Sequence, residues 1–290
     1  MIDYFKMLRP QQWGKNLFLF AGLIFSRSFY DLDHVFKSAA AFLVFCLLSG
    51  AVYIINDLAD YQEDQHHPLK SRRPIASHRV PRGPAAAVAV ILAVISIAAA
   101  ALLPGPFVWT AVIYLLMMTV YSLGMKTVVI LDLLFVAFGY VIRAVAGALV
   151  IGVSISSWLL ICTLLLALFL VTAKRRYEIV RLGPEATRHR RTLGSYTVEF
   201  LTQLITIVAS ACIVAYCLYT LAPETVAKFH TRNLIFTVPF VLFGVFRYLY
   251  LTFQGAETDT PEKAIITDPP LLICLILWVG SCSLILTAIR

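Results

Sequence analysis

Asn56, Asp57, Asp60 and Asp64 close an almost wholly apolar stretch, residues 49–55. On a single helix turning 100° per residue, all four project into one arc of roughly 100°. Three carboxylates and a carboxamide on one face repel one another unless a cation sits among them. Hard oxygen donors of this kind suit Mg²⁺, which keeps several waters and bridges to substrate phosphate. A merely solvated acidic helix end is the competing account, and acids at a helix C-terminus oppose the macrodipole. The expectation is that Asp57, Asp60 and Asp64 are catalytic and, with Asn56, ligate Mg²⁺. No other residue set offers chemistry as directly. The six histidines fall in loops without a Ser-His-Asp arrangement, and the six cysteines sit inside apolar runs without a Cys-x-x-Cys pair, as small core hydrophobes do.

The elements that must position these residues are membrane helices. The chain of 290 residues is 60% hydrophobic and 14% charged, with mean hydropathy +0.84. A soluble domain is nearer half apolar and a quarter charged, so secreted disulfide-stapled and disordered readings are excluded. Apolar runs of about twenty residues, each able to cross roughly 30 Å of hydrocarbon, predict an all-α polytopic protein. Nine spans are expected, near 16–29, 36–56, 85–103, 107–123, 130–151, 157–173, 201–221, 233–253 and 270–289. We read residues 1–290 as one integral membrane domain, with residues 1–15 as an interfacial lead-in rather than a cleavable signal.

Basic residues set the orientation. Of the 24 Lys and Arg, 17 fall on the side of the N-terminus and the long segments 57–84, 174–200 and 254–269, five fall opposite, and Arg143 and Arg247 lie within spans. The positive-inside rule places the N-terminus and the carboxylates in the cytoplasm, at the plasma (inner) membrane of a multi-pass protein. The basic residues lack interleaved stacking aromatics, so no nucleic-acid partner is expected. Nothing in the sequence excludes self-association into homo-oligomers.

The stretch NDLADYQED (residues 56–64), followed by Lys70-Ser71-Arg72-Arg73-Pro74-Ile75-Ala76-Ser77, resembles the first Asp-rich motif and the K-x-x-R-P-I-A-S loop of the UbiA superfamily of intramembrane transferases. Further likeness lies in RPQQWGKN (residues 9–16), in YSLGMK (residues 121–126), and in Asp132 with Arg143. The resemblance covers most of the chain and implies a UbiA-like bundle whose active site opens to the cytoplasm. The superfamily's prenyltransferases carry a second Asp-rich motif after the sixth helix. Here that segment reads AKRRYEIVRLG (residues 173–183), with Glu178 the only acid near its start, and then RHRRTLGSYT (residues 188–197).

Cations in place of a second carboxylate cluster resemble the polyprenyl-phosphate phosphoribosyltransferase branch. That resemblance implies transfer of 5-phosphoribosyl from phosphoribosyl diphosphate (PRPP) to a polyprenyl phosphate such as decaprenyl phosphate, for cell-envelope arabinan precursors. It also implies a substrate-binding set: Lys15, Asn16, Lys70, Arg72, Arg73, Tyr121, Lys126, Asp132, Arg143, Lys174, Arg175, Glu178, Arg190, Arg191 and Tyr196. Diphosphate departure from an anomeric carbon would call for Mg²⁺ and fixed cations, while a lipid phosphate, already anionic, needs no general base.

Plainer accounts compete residue by residue. Glu178 is four residues from Lys174, the spacing of a helical ion pair. Asp132 and Arg143 share a helical face but stand three turns apart, too far for a direct pair. Arg247 is near a helix end and able to snorkel. Two other functions remain open: a prenyltransferase acting on an aromatic or haem acceptor, and a transporter, which would hold its carboxylates nearer the bilayer midplane.

Overall fold

The computed structural model describes residues 2–26, 28–66, 70–182, 191–254 and 261–287, and these residues contain helices and turns but no strand. They fall into two compact units, Met1–Ile155 with Glu185–Ser195, and Ser156–Pro184 with Tyr196–Arg290.

In the first unit a short helix α1 (Ile2–Met7) leads into a 3₁₀ helix of 11 residues, Pro10–Phe20, which passes into α2 (Ala21–Phe25). Then come α3 (Leu32–Ala59), α4 (Tyr61–Gln65), α5 (Arg82–Ala101), α6 (Phe107–Leu123) and α7 (Leu131–Val150). Asp31 starts α3 by accepting the Asp33 amide at 2.9 Å, satisfying one of the donors that a helix N-terminus leaves unpaired. α3 is the central rod, packing on α5, α6, α7 and the 3₁₀ helix. Leu19, Phe45, Leu48, Phe107 and Tyr114 fill the space between them.

Two glycines allow the 3₁₀ helix and α2 to lie directly on α7. A Cβ on Gly147 would stand 1.8 Å from the Leu19 carbonyl oxygen, and one on Gly22 would stand 2.8 Å from the Ala148 Cα. Backbone contact of this kind is how membrane helices pack in the absence of a hydrophobic gradient between them and lipid.

The second unit contains α8 (Ser157–Leu182), α9 (Val198–Leu221), α10 (Pro223–Phe229), α11 (Val238–Phe253), α12 (Pro261–Thr267) and α13 (Pro269–Thr287). α8 packs along α9, and α11 packs against α9 and α13. Arg247 does not snorkel alone: it grips Asp268 through Nε at 3.1 Å and Nη2 at 2.8 Å, while Asp268 accepts the Leu271 amide at 3.0 Å and so caps α13. The Arg247 fork holds the Asp268 carboxyl below its ordinary value of 3.8. A depressed folded-state pKa contributes stability above the unfolded value that disappears as pH falls through the folded one. The difference in thermal stability between wild type and Asp268→Asn is therefore expected to hold steady from about pH 7 to pH 5 and to close below about pH 4. Melting in detergent across that range checks it, and a gap that persists at the acid end would show that the ion pair is not its source.

Among the described residues, seven helices are long and apolar enough to cross a membrane, and Phe107–Leu123 is a shorter apolar helix of 17 residues. This is a multi-pass membrane protein. Two expectations need correction. The predicted first span, 16–29, is not one α-helix but a 3₁₀ helix followed by a single α-turn. The predicted sixth span, 157–173, continues as helix to Leu182, so the basic segment from Lys174 begins helical rather than as a loop. Hydropathy ends where charge begins, whereas a helix of good formers such as Lys, Arg and Glu continues into water.

Candidate active site

The carboxylates lie where α3 stops. The predicted single helix through residues 56–64 breaks at Asp60, whose ψ of 8° ends α3 and starts α4, although the Asp64 amide still reaches the Asp60 carbonyl at 2.8 Å. Aspartate competes with the helix for local hydrogen bonds, which favours such an end. Asn56 donates its carboxamide to Asp60 at 3.0 Å. Asp57 and Asp64 are 3% and 2% exposed, a costly burial for carboxylates unless each is paired.

Each carboxylate is paired, and the cations come from three stretches of chain. Arg9, at the start of the 3₁₀ helix, binds Asp57 and covers the Tyr53 ring at 5.1 Å. Its backbone is left-handed, φ 51°, which turns the chain from α1 into the 3₁₀ helix. Arg73 bridges two acids through one nitrogen, 3.0 Å from Asp57 and 2.5 Å from Asp64. Lys70 stands 4.0 Å from Asp64. Lys126, in the turn Met125–Thr127 after α6, binds Asp60, and its carbonyl accepts the Thr192 hydroxyl at 3.4 Å. Burial pushes the Asp64 carboxyl above its ordinary 3.8, Arg73 and Lys70 oppose this, and the neighbouring Asp57 and Asp60 add to it.

Among the described residues, no three Asp, Glu, His or Cys side chains already converge as a ready cage for an ion. The donors nevertheless fit Mg²⁺ in kind. That ion is usually held through one or two carboxylates, waters and substrate phosphate, and does not require an all-protein cage. Asp57, Asp60 and Asp64 supply mutually repelling hard oxygens at one helix end, with Asn56 beside them.

The other sequence-derived candidates separate into groups. Lys15 and Asn16 ride on the 3₁₀ helix. Buried Asn16 accepts Arg143 Nε at 2.7 Å and lies 3.3 Å from both Cys46 Sγ and Ser49 Oγ. Arg143, 4% exposed, also donates to the Gly139 carbonyl at 2.8 Å and the Tyr114 hydroxyl at 2.7 Å, with Tyr114 and Tyr140 rings against its guanidinium. Asp132 is fully buried in the first turn of α7. Tyr121 is buried and stacked on Phe135. Arg72 ends the short 3₁₀ turn Lys70–Arg72, and its carbonyl accepts from Arg79.

In the second unit, Lys174 lies 4.0 Å from Glu178, as its spacing predicted, but buried Arg175 makes the closer pair at 2.8 Å. Tyr196 is buried and stacked on Phe200. Arg190 lies outside the described residues, and of Arg191 only the backbone is described. Sequence reasoning missed Arg9 and Thr192 as site residues. The one signal for Arg9 was its place at the head of RPQQWGKN, and Thr192 offered none.

The sequence pattern of the UbiA prenyltransferase family matches residues 17–287. The chain is 31% identical over 287 residues to a decaprenyl-phosphate phosphoribosyltransferase of Mycolicibacterium smegmatis, covering 95% of this chain and 90% of that protein. It is likewise 31% identical over 280 residues to a decaprenyl-phosphate phosphoribosyltransferase of Mycobacterium tuberculosis, covering 95% and 91%. In fold it is similar to a UbiA homolog from Archaeoglobus fulgidus solved bound to GPP and Mg²⁺, with TM-score 0.74 at 17% identity, covering 98% of this chain and 99% of that one.

Proposed function

The chain belongs to the UbiA prenyltransferase family, and from that membership we propose that it moves a phosphoribosyl group from PRPP to a polyprenyl phosphate and releases diphosphate. The observation that carries the reading is its near-full-length similarity to relatives named for that transfer. The cations Arg9, Arg73 and Lys126 around the acidic cluster are consistent with a site for two phosphorylated substrates. The protein crosses the inner membrane nine times with its N-terminus and site on the cytoplasmic side, where PRPP is soluble.

Asp57, Asp60, Asp64 and Asn56 would hold Mg²⁺, which when bound supplies charge neutralisation for the departing diphosphate. Arg9, Arg73 and Lys126, which face these carboxylates, would donate to phosphate oxygens of the substrates. Lys15, Lys70 and Arg72 add positive charge from the same unit, and Tyr121 and Asp132 offer polar contacts to the ribose. Asn16 and Arg143 hold the 3₁₀ helix against α7 and so set where Arg9 stands. Resemblance alone extends the candidate set to Lys174, Arg175, Glu178, Arg190, Arg191 and Tyr196. The acceptor phosphate is an anion above its second ionisation near pH 6, so no base has to deprotonate it and the rate should stay nearly flat from about pH 7 to 9.

Membranes containing the protein, supplied with radiolabelled PRPP, should move label into the lipid extract only when polyprenyl phosphate and Mg²⁺ are present. A prenyltransferase makes the opposite demand, with a prenyl diphosphate as donor and PRPP inert. Diphosphate release from prenyl diphosphate plus an aromatic acid, with none from PRPP plus lipid phosphate, would replace this reading with that one.

A further inference from the structure

The loop carrying Lys70, Arg72 and Arg73 is closed on itself by a residue outside every motif considered so far. Ile75, Ala76 and Val80 are buried and anchor the loop to the first unit's core. His78 takes a left-handed backbone, φ 61°, and this reversal sends Arg79 back over the loop. Arg79 donates through Nη2 to the Arg72 carbonyl and through Nε to Ser77 Oγ at 3.0 Å. Ser77 donates its own hydroxyl to the Arg73 carbonyl at 2.7 Å, and its amide donates to the same oxygen at 2.9 Å. The Arg73 amide is held by the Lys70 carbonyl at 2.9 Å.

The peptide planes on both sides of the Arg73 Cα are thus fixed, one by Arg79 directly and the other by the serine that Arg79 braces. Since a residue has only two soft backbone torsions, fixing both planes fixes the direction in which the Arg73 side chain leaves the chain. That side chain is the one bridging Asp57 and Asp64. Arg79 has a third contact: Nη1 meets Asp3 of α1 at 2.7 Å. With side chains 43% and 33% exposed, this pair adds little to stability. What it provides is orientation, tying the N-terminal helix to the loop.

We propose that Arg79 is a positioning residue for Arg73 and, through it, sets affinity for the diphosphate of PRPP, an inference that rests on the donor assignment above. A residue that acts by aiming another has no effect once the other is gone, whereas one that merely holds the fold, or contacts substrate itself, keeps its effect. The test is a double-mutant cycle on PRPP binding, read by isothermal titration in detergent with Mg²⁺ present. Arg79→Ala should weaken PRPP binding about tenfold in the wild-type background, the scale expected when a binding group is misplaced by part of an ångström, and less than about twofold in the Arg73→Ala background. Should Arg79→Ala fail to accumulate in folded form, Arg79→Lys keeps the charge with fewer donors and carries the same cycle. Equal losses in both backgrounds would overturn the inference and leave the donor assignment standing. No binding of PRPP by the unaltered protein would overturn both.

Discussion

Asp60→Asn is expected to lower PRPP-dependent diphosphate release by at least about 100-fold, the scale seen when one preorganised electrostatic partner of a developing charge is removed. Asp60 separates chemistry from folding better than its neighbours do. Its side chain is 16% exposed against 3% for Asp57 and Asp64, so an amide there does not strand a deeply buried cation. The Asn side chain can still accept the hydrogen bond from Asn56. What is lost is one negative charge and one strong oxygen donor for Mg²⁺, so the deficit should be greatest at limiting metal. Thermal melting of the metal-free variant should match wild type. Activity within a few-fold of wild type at limiting Mg²⁺ would remove Asp60 from the metal-binding set.

Gly147→Ala is expected to have the largest effect on the fold, destabilising the first unit by about 3 kcal/mol, at the upper end of the usual overpacking cost. The added Cβ would meet a backbone carbonyl oxygen, that of Leu19, at 1.8 Å. A flexible side chain could rotate away, but here the 3₁₀ helix itself must move off α7, and that helix carries Asn16 and begins beside Arg9. Gly83→Ala is the matched control: it sits in the first turn of α5 with no atom within 4 Å of a built Cβ, and should be neutral or slightly stabilising. Thermal melting in detergent compares the two. A Gly147→Ala protein as stable as the control would show that the two backbones do not meet at this position.

The acidic cluster and the basic loop were legible because their evidence is local. Residue types four apart, next to an apolar run, declare a shared face whatever the rest of the chain does. The apolar spans were legible for the same reason, since length and hydropathy are properties of one segment. Partnership was not. Arg9 meets Asp57 across 48 residues, Lys126 meets Asp60 across 66, and Arg143 meets Asn16 across 127, and no spacing rule connects such pairs. The sequence placed Arg143 in a span, where a cation must be satisfied, but its solvation by an amide, a carbonyl and a phenol depends on how two helices and a 3₁₀ segment meet. The break at Asp60 was hidden by the same motif that revealed the site, because helical projection assumes the helix continues. The long 3₁₀ helix escaped notice because an apolar run specifies burial and says little about pitch.

That pitch sets a length. A 3₁₀ helix rises about 2.0 Å per residue and an α-helix 1.5 Å, so 11 residues wound as Pro10–Phe20 are wound make a rod about 5 Å longer than the same residues would as α. The rod is held at both ends and between them: Leu19 sits on Gly147, Asn16 is bonded to Arg143, and Arg9, next to its first residue, binds Asp57. Wound as α between the same anchors, the segment would fall about 5 Å short, so the tighter 3₁₀ winding is what lets 11 residues reach from the Gly147 contact to the carboxylate at the end of α3.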